Sequence, residues 1–161
     1  MRRLATTAEE LPSPDVIRSI SGLEFMQAIQ NGEISGPPIG GLMGYTLHEV
    51  EDGRVVFRGT PPFEACNPMG GVHGGWYGTL LDSCMACAVM TKVPRGSFYT
   101  TLEYKVNIVR ALPVGTEIDA IGLIQHAGRS TGVAVGEIRG VENGKLYATG
   151  STTCMIMKMG G

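Results

Sequence analysis

Asn67-Pro-Met-Gly-Gly-Val-His73-Gly74-Gly75 leads directly into Trp76-Tyr-Gly-Thr-Leu-Leu-Asp82-Ser-Cys-Met-Ala-Cys-Ala-Val-Met90. From Trp76 to Met90 the residues are apolar or small on every face, which is typical of a helix enclosed by protein. The run is too short and too interrupted to span a bilayer. We therefore expect a central core helix around which the rest of the chain folds.

Asp82 is the only formally charged residue between Trp76 and Met90. Burial of a carboxylate is costly unless a partner stabilises it or its pKa rises. Such a group is a candidate for catalysis. The alternative is a structural carboxylate that accepts hydrogen bonds from the amides of a neighbouring strand, and composition alone leaves both interpretations open.

Gly74 and Gly75 fall where the first free N–H groups of the predicted helix should point outward. These groups, helped by the helix dipole, suit a developing negative charge such as the oxyanion of an acyl transfer. Gly74 and Asp82 are eight residues apart, which is roughly 12 Å along a helix. If they cooperate, a second subunit must place its own helix alongside, antiparallel.

Asn67, His73-Gly74-Gly75 and Leu81-Asp82, followed by strands of alternating pattern, resemble the hotdog-fold acyl-CoA thioesterases of the phenylacetate-pathway (PaaI) type. That family includes the mammalian thioesterase superfamily member 2. The likeness covers residues 40 to 158. It implies that Asp82 is the catalytic carboxylate and that the Gly74 N–H binds the oxyanion. It also implies that Asn67 helps to place the thioester or a water, and that His73 is usually a positioning residue.

The pattern of the remaining chain predicts an α+β protein with a curved antiparallel sheet wrapped around the long helix, the hotdog arrangement. Strands are predicted at 44–50, 54–60, 98–108, 117–126, 130–140 and 145–158. Strict alternation in 98–108 puts Thr100, Leu102 and Tyr104 on one face and Thr101 on the other. Residues 141–144 carry the signal of a type I′ hairpin turn.

We expect one domain overall, divided into an N-terminal arm and amphipathic helix over 1–40 and the hotdog thioesterase domain over 41–161. Residues 1–21 read as a surface arm with a short helical turn near Pro14. Ser21 reads as the N-cap of a helix over 23–30, which Asn31 and Gly32 end.

Several further residues are candidates for substrate binding. Gly75 accompanies Gly74, and the resemblance places a supporting hydroxyl at about Thr100 or Thr101. Arg129 could meet the phosphates of coenzyme A, as could Arg110 and Lys105, although exposed basic residues are mostly just solvated.

Three other assignments have plainer alternatives. The plainer alternative for Asn67 is that it holds only its own turn, and for His73 that it satisfies local backbone groups. Ser83, next to Asp82, is expected to face elsewhere. The acyl pocket is expected to include some of Trp76, Tyr77, Met85 and Met90.

Composition limits the possible partners. The formal net charge of -2 argues against nucleic acid, and there is no secretory signal, so we expect a cytoplasmic protein without a membrane partner. The four cysteines lack the spacing of a zinc site and are expected to be reduced, with no metal and no cofactor. We expect an acyl-CoA substrate and a homodimer as the minimal unit, assembled into a homotetramer.

The predicted function is hydrolysis of an acyl or aryl thioester to free acid and coenzyme A. Asp82 would act as nucleophile or general base, with the Gly74 N–H as oxyanion hole. One alternative is a hotdog dehydratase, which would need a His and a carboxylate in a different local pattern. Another is a non-enzymatic acyl-CoA-binding protein, in which a buried Asp82 would have no purpose.

Overall fold

The computed structural model describes residues 3–160 of the chain. Its helices are α1 (Pro14–Ser19), α2 (Gly22–Asn31), α3 (Ile39–Met43) and α4 (Gly74–Met90). Its strands are β1 (Tyr45–Glu51), β2 (Arg54–Gly59), β3 (Ser97–Ile108), β4 (Ile118–Ala127), β5 (Thr131–Gly140) and β6 (Leu146–Lys158). No helix in the described part of the chain is long and apolar enough to cross a membrane.

The six strands form one antiparallel sheet in the order β1-β2-β4-β5-β6-β3, with α4 packed against it. This confirms the predicted α+β fold, a curved sheet around a central helix preceded by an N-terminal helix. Each predicted strand is present, with ends within about two residues of the prediction, because short turns rich in glycine separate the runs clearly.

Glycines in the sheet allow α4 to lie close to it. A Cβ built on Gly122 would be 2.0 Å from the carbonyl oxygen of Cys84, and one on Gly136 would be 2.7 Å from the Met85 side chain. Only a residue without a side chain fits at such a distance. The glycines therefore let α4 pack directly against the sheet. Leu80, Leu81 and Met85 of the helix are fully buried in the core.

The amphipathic helix has the ends that the sequence predicts. Ser21 accepts a hydrogen bond from the Glu24 N–H, and the Glu24 carboxylate accepts one from the Ser21 N–H, which together make a capping box. Gly32 ends the helix in the left-handed region, at φ 80°. Phe25 and Met26 are buried against the domain.

The N-terminal arm is less exposed than predicted. Ala5 is only 3% exposed, and its N–H donates to the Gly36 carbonyl at 2.9 Å, while the Gly36 N–H donates to the Arg3 carbonyl at 2.8 Å. These backbone bonds join the arm to the loop before α3, a short helix that the Pro- and Gly-rich sequence there did not indicate. The division of the chain near residue 40 stays a prediction.

Strict alternation along β3 is wrong. The register of β3 against β6 shifts between Thr101 and Glu103, so that Leu102 is an extra residue in a β-bulge. As a result both Thr101 and Tyr104 face α4, where Thr101 bonds Asp82 and the Tyr104 ring lies beside Gly78. A bulge reverses the faces of all later residues, and nothing in the alternating sequence marks it.

The turn between β5 and β6 also differs from the prediction. Gly144 has φ +63°, but no residue other than glycine in the described range has a positive φ, so Asn143 does not adopt the conformation that a type I′ turn requires. The connection is longer, and it closes through the Gly140 N–H on the Lys145 carbonyl at 3.0 Å.

Candidate active site

Asp82 lies half-buried on α4 and forms no ion pair with any residue of 3–160. Its carboxylate Oδ1 accepts a hydrogen bond from Thr101 Oγ1 at 2.9 Å. Burial raises the pKa of Asp82, and the Thr101 hydrogen bond lowers it in part, since it stabilises the charged form. One carboxylate oxygen is thus held, and the other, Oδ2, has no partner among the described residues.

The structure distinguishes the two threonines that the sequence left open. Thr101 holds the Asp82 carboxylate. Thr100 is exposed and is paired with Met155 across the sheet, with no contact to Asp82. Of the two threonines predicted as the supporting hydroxyl, Thr100 is therefore wrong.

A chain of hydroxyl groups beside Asp82 was missed by sequence reasoning. Ser83 Oγ donates to the Thr79 carbonyl at 2.9 Å and lies 2.8 Å from the Tyr45 hydroxyl, which therefore donates to Ser83. Burial raises the pKa of Tyr45 to about 12. The expectation that Ser83 faces away is wrong, because Ser83 lines the same cavity as Asp82. Only the tertiary approach of β1 to α4 reveals this contact.

A mainly apolar cavity of about 440 Å³ opens beside Asp82. It runs between α4, α2, β1 and the N-terminal arm, and from α4 it is lined by Asp82, Ser83, Ala86, Cys87 and Met90.

Of the four residues expected in the acyl pocket, only Met90 lines this cavity. The Trp76 indole donates to the Met43 carbonyl at 2.8 Å, and the Tyr77 hydroxyl accepts from the Leu112 N–H at 2.9 Å. Met85 packs against the sheet beside Gly136.

At the other end of α4, His73 is the N-cap residue. Its Nδ1 accepts a hydrogen bond from the Gly75 N–H at 2.9 Å, which orients the imidazole and engages that N–H. The expectation that the Gly75 N–H is free for substrate is therefore wrong. The Gly74 N–H has no partner among the described residues and is exposed at the helix N-terminus, the geometry of an anion-binding donor.

Asn67 holds its own turn. Its Oδ1 accepts hydrogen bonds from the backbone N–H groups of Met69 (2.9 Å) and Gly71 (3.2 Å). Its side-chain nitrogen is left without a hydrogen-bond partner among the described residues, so it remains able to donate. The role of Asn67 toward a substrate stays a prediction.

One chain does not bring these groups together. Asp82 lines the apolar cavity, whereas His73 and Gly75 line a second cavity and Asn67 a third. Gly74 is the first residue of α4, and Asp82 lies about 12 Å further along the axis of the same helix. Within one chain the candidate site is therefore split into two halves.

Arg129 is exposed in the turn between β4 and β5 and lines none of these three cavities, so its contact with a substrate stays a prediction. All four cysteines are free. The described residues contain no cluster of His, Cys, Asp and Glu that could hold a metal ion.

One face of α4 is left uncovered, and it lies beside the free edge of the sheet. Gly75, Thr79, Asp82 and Ser83 are not fully buried and follow each other at helical spacing. β3, the last strand of the sheet, carries exposed apolar side chains along the same region, with Leu102 56% and Ile108 48% exposed. Exposed apolar edges of this kind mark sites of association.

Comparison with known proteins agrees with this architecture. Residues 69–147 match the sequence model described as the thioesterase superfamily. The chain has the hotdog fold of that superfamily. Solved structures of PaaI-type proteins are similar to this chain, which confirms the predicted resemblance. No curated protein matches its sequence.

A phenylacetic acid degradation-related protein of Ralstonia eutropha JMP134 shares 27% identity with this chain at a TM-score of 0.74. The match covers 81% of this chain and 98% of that one. The PaaI protein of the E. coli phenylacetic acid degradation operon shares 22% identity at a TM-score of 0.72, covering 89% and 98%. A conserved protein of Pseudomonas aeruginosa shares 29% identity at a TM-score of 0.68, covering 74% and 93%.

Replacing Thr101 with valine should raise the pKa of Asp82. The hydroxyl is the hydrogen-bond donor that favours the charged carboxylate, and valine keeps the shape without the donor. NMR titration of the Asp82 side-chain carboxyl measures the change directly. Thr100→Val is the matched control and should leave the pKa in place; equal pKa values in both variants would contradict the assignment of Thr101.

Proposed function

We propose that this protein is an acyl-CoA thioesterase, which hydrolyses an acyl or aryl thioester to the free acid and coenzyme A. The observation that carries the proposal is the Asp82 carboxylate. It is half-buried, forms no ion pair with any residue of 3–160 and lies beside an apolar cavity. A desolvated carboxylate without a charge partner destabilises a fold, so a chemical role accounts for it better than a structural one. The similarity to thioesterases supports the same reaction class.

The reaction needs a base or nucleophile and a donor for the oxyanion. Asp82 Oδ2 would take a proton from the attacking water or attack the carbonyl carbon itself, while Thr101 holds Oδ1 in place. On the first route the water oxygen bonds to the acyl carbon as the carbon–sulfur bond breaks, and the proton taken by Asp82 passes to the departing thiolate of coenzyme A. On the second route the thiolate leaves and takes a proton from water, and a water then cleaves the anhydride between Asp82 and the acyl group, which releases the acid and restores the carboxylate. The raised pKa of Asp82 makes it a stronger base than an ordinary exposed aspartate.

The oxyanion donor in this proposal is the Gly74 N–H of a second subunit. Along one chain, β3 runs antiparallel to α4, with Thr101 at Asp82, Tyr104 at Gly78 and Ile108 beside Gly74. In the proposed dimer a two-fold axis lies midway between Gly74 and Asp82, next to Gly78 and Tyr104. It would pair the two β3 edges and the two uncovered helix faces at once, and it would bring each Gly74 to the partner's Asp82.

Two other functions receive less support. A dehydratase would use a histidine as a catalytic base beside the carboxylate, but the His73 Nδ1 is engaged by the Gly75 N–H, and residues 69–147 match the thioesterase superfamily. An acyl-CoA-binding protein without activity would gain nothing from a desolvated Asp82, since an asparagine or an apolar residue would occupy the position at lower cost.

The Asp82→Asn variant should lose at least about 100-fold in thioesterase turnover while remaining folded, because the amide keeps the shape but is neither base nor nucleophile. Folding raises the pKa of Asp82, so ionisation disfavours the folded state as the pH rises above the unfolded-state pKa. The neutral amide should therefore be at least as stable as wild type at pH 7. Release of free thiol from acyl-CoA and thermal unfolding at equal protein concentration are the two measurements. Wild-type turnover in this variant would contradict the role of Asp82.

Gly74→Pro should lower turnover by about 10²–10³, the loss typical of one oxyanion donor. The backbone accepts the substitution, since Gly74 is the first helical residue and His73 before it is extended, at ψ 141°. Gly74→Ala is the matched control: it retains the N–H, and its Cβ would meet only the Ile108 side chain at 3.5 Å. Steady-state kinetics should separate the two variants, and equal activity of both would place the oxyanion donor elsewhere.

A further inference from the structure

The apolar cavity beside Asp82 is lined by α4 over about two turns, from Asp82 to Met90. Asp82, Ala86 and Met90 line it and are spaced four residues apart, so they lie in a row on one face of the helix. The row from Asp82 to Met90 is about 12 Å long at ~1.5 Å per residue. A molecule in this cavity would therefore lie along the helix with one end at the carboxylate.

The N-terminal arm also forms part of the cavity wall. Leu4, Leu11, Pro12 and Ile17 line it from the arm, next to Phe25 of α2. Two backbone hydrogen bonds with Gly36 hold the arm there. Within the arm, the Arg3 guanidinium donates to the Glu10 carboxylate at 2.7 Å. The arm is thus a fixed wall of the cavity.

The hydroxyl donors of three residues at the Asp82 end are already engaged. The hydroxyl hydrogens of Thr101, Ser83 and Tyr45 are donated to Asp82, to the Thr79 carbonyl and to Ser83 respectively. No free hydroxyl donor of these three residues remains for a polar ring substituent. An occupant matched to this cavity is apolar beyond the group that meets Asp82.

The dimensions favour a chain over a single ring. An extended polypeptide covers roughly 3.3–3.6 Å per residue, which is three backbone bonds, and an extended alkyl chain has a similar length per bond. About ten carbon–carbon bonds therefore span the roughly 12 Å from Asp82 to Met90. An apolar cavity of about 150 Å³ holds a benzene molecule. The cavity of about 440 Å³ found here is close to three times that size.

We propose that this cavity takes the acyl chain of the substrate, laid along α4 from Asp82 toward Met90 and walled by the N-terminal arm. The substrate class is then an unbranched aliphatic acyl thioester of medium length, about eight to twelve carbons. The arm sets the upper limit of that length. This inference rests on the proposed thioesterase function and specifies its substrate.

The test measures kcat/KM for straight-chain acyl-CoA thioesters of four to sixteen carbons and for phenylacetyl-CoA. Each methylene buried in the cavity should raise kcat/KM about fourfold, the factor that corresponds to ~0.8 kcal/mol, up to a maximum near ten carbons. Phenylacetyl-CoA should be a poorer substrate than decanoyl-CoA. A profile that does not rise between four and ten carbons, or that favours the aryl thioester, would overturn the proposal.

Two variants locate the chain. Ala86→Phe fills the middle of the row and should lower the ratio of decanoyl to butyryl kcat/KM at least about tenfold, whereas Ala127→Phe, exposed at the end of β4, should leave the ratio unchanged. Leu4→Ala enlarges the cavity at the arm and should move the maximum to longer chains, with Leu123→Ala as the control outside the cavity. Unchanged ratios in Ala86→Phe and an unchanged maximum in Leu4→Ala would overturn the assignment, and Leu4→Ala decides it if Ala86→Phe does not fold.

Binding of 1-decanol, measured by calorimetry, separates this inference from the proposed activity, because this probe has the apolar chain without a charge that Asp82 would repel. If the wild-type protein hydrolyses none of the thioesters, the proposed function fails, but 1-decanol should still bind to wild type and more weakly to Ala86→Phe. If thioesters are hydrolysed and 1-decanol binds both proteins equally, or neither, the activity stands and the assignment of the cavity fails.

Discussion

The desolvated carboxylate of Asp82 is the constraint on which the other features of this structure depend. A carboxylate on a core helix is held in a charged, reactive form only if something donates to it, and here that donor is the Thr101 hydroxyl at 2.9 Å. A hydrogen bond to a charged group stabilises by about 1.5–3 kcal/mol. That gain offsets part of the cost of burial and leaves the pKa of Asp82 above its ordinary value. The site thus keeps a basic carboxylate that forms no ion pair with any cation of residues 3–160.

The bulge in β3 connects this carboxylate to the possible assembly of two chains. By inserting Leu102, β3 turns both Thr101 and Tyr104 toward α4. Thr101 then supports Asp82, while Tyr104 covers Gly78, the midpoint between Asp82 and Gly74. Without the bulge, the hydroxyl that holds the carboxylate and the ring at the proposed two-fold axis would lie on opposite faces of the sheet.

Much of this fold could be predicted from the sequence, because its signals are local. The apolar run to Met90, the Ser21 cap and the Gly32 end are each decided by residues close in the chain. Asp82 stood out because it is the one charge in an apolar helix.

What could not be predicted depends on contacts between distant segments. The docking of the arm on Gly36, the approach of Tyr45 to Ser83 and the choice of Thr101 over Thr100 all require the finished packing. The engagement of the Gly75 N–H by His73 is local, but it depends on a histidine rotamer that sequence does not specify.

The central claim is that one site is built from two chains, with Gly74 from one and Asp82 from the other. Mixing Gly74→Pro and Asp82→Asn chains, after unfolding and refolding together, tests it most directly. In a mixed dimer one shared site carries both defects and the other carries neither, so random pairing of equal amounts should restore about a quarter of wild-type thioesterase activity. If each site were formed within a single chain, every site would carry a defect, and the mixture would be as inactive as its components even after subunit exchange had been confirmed.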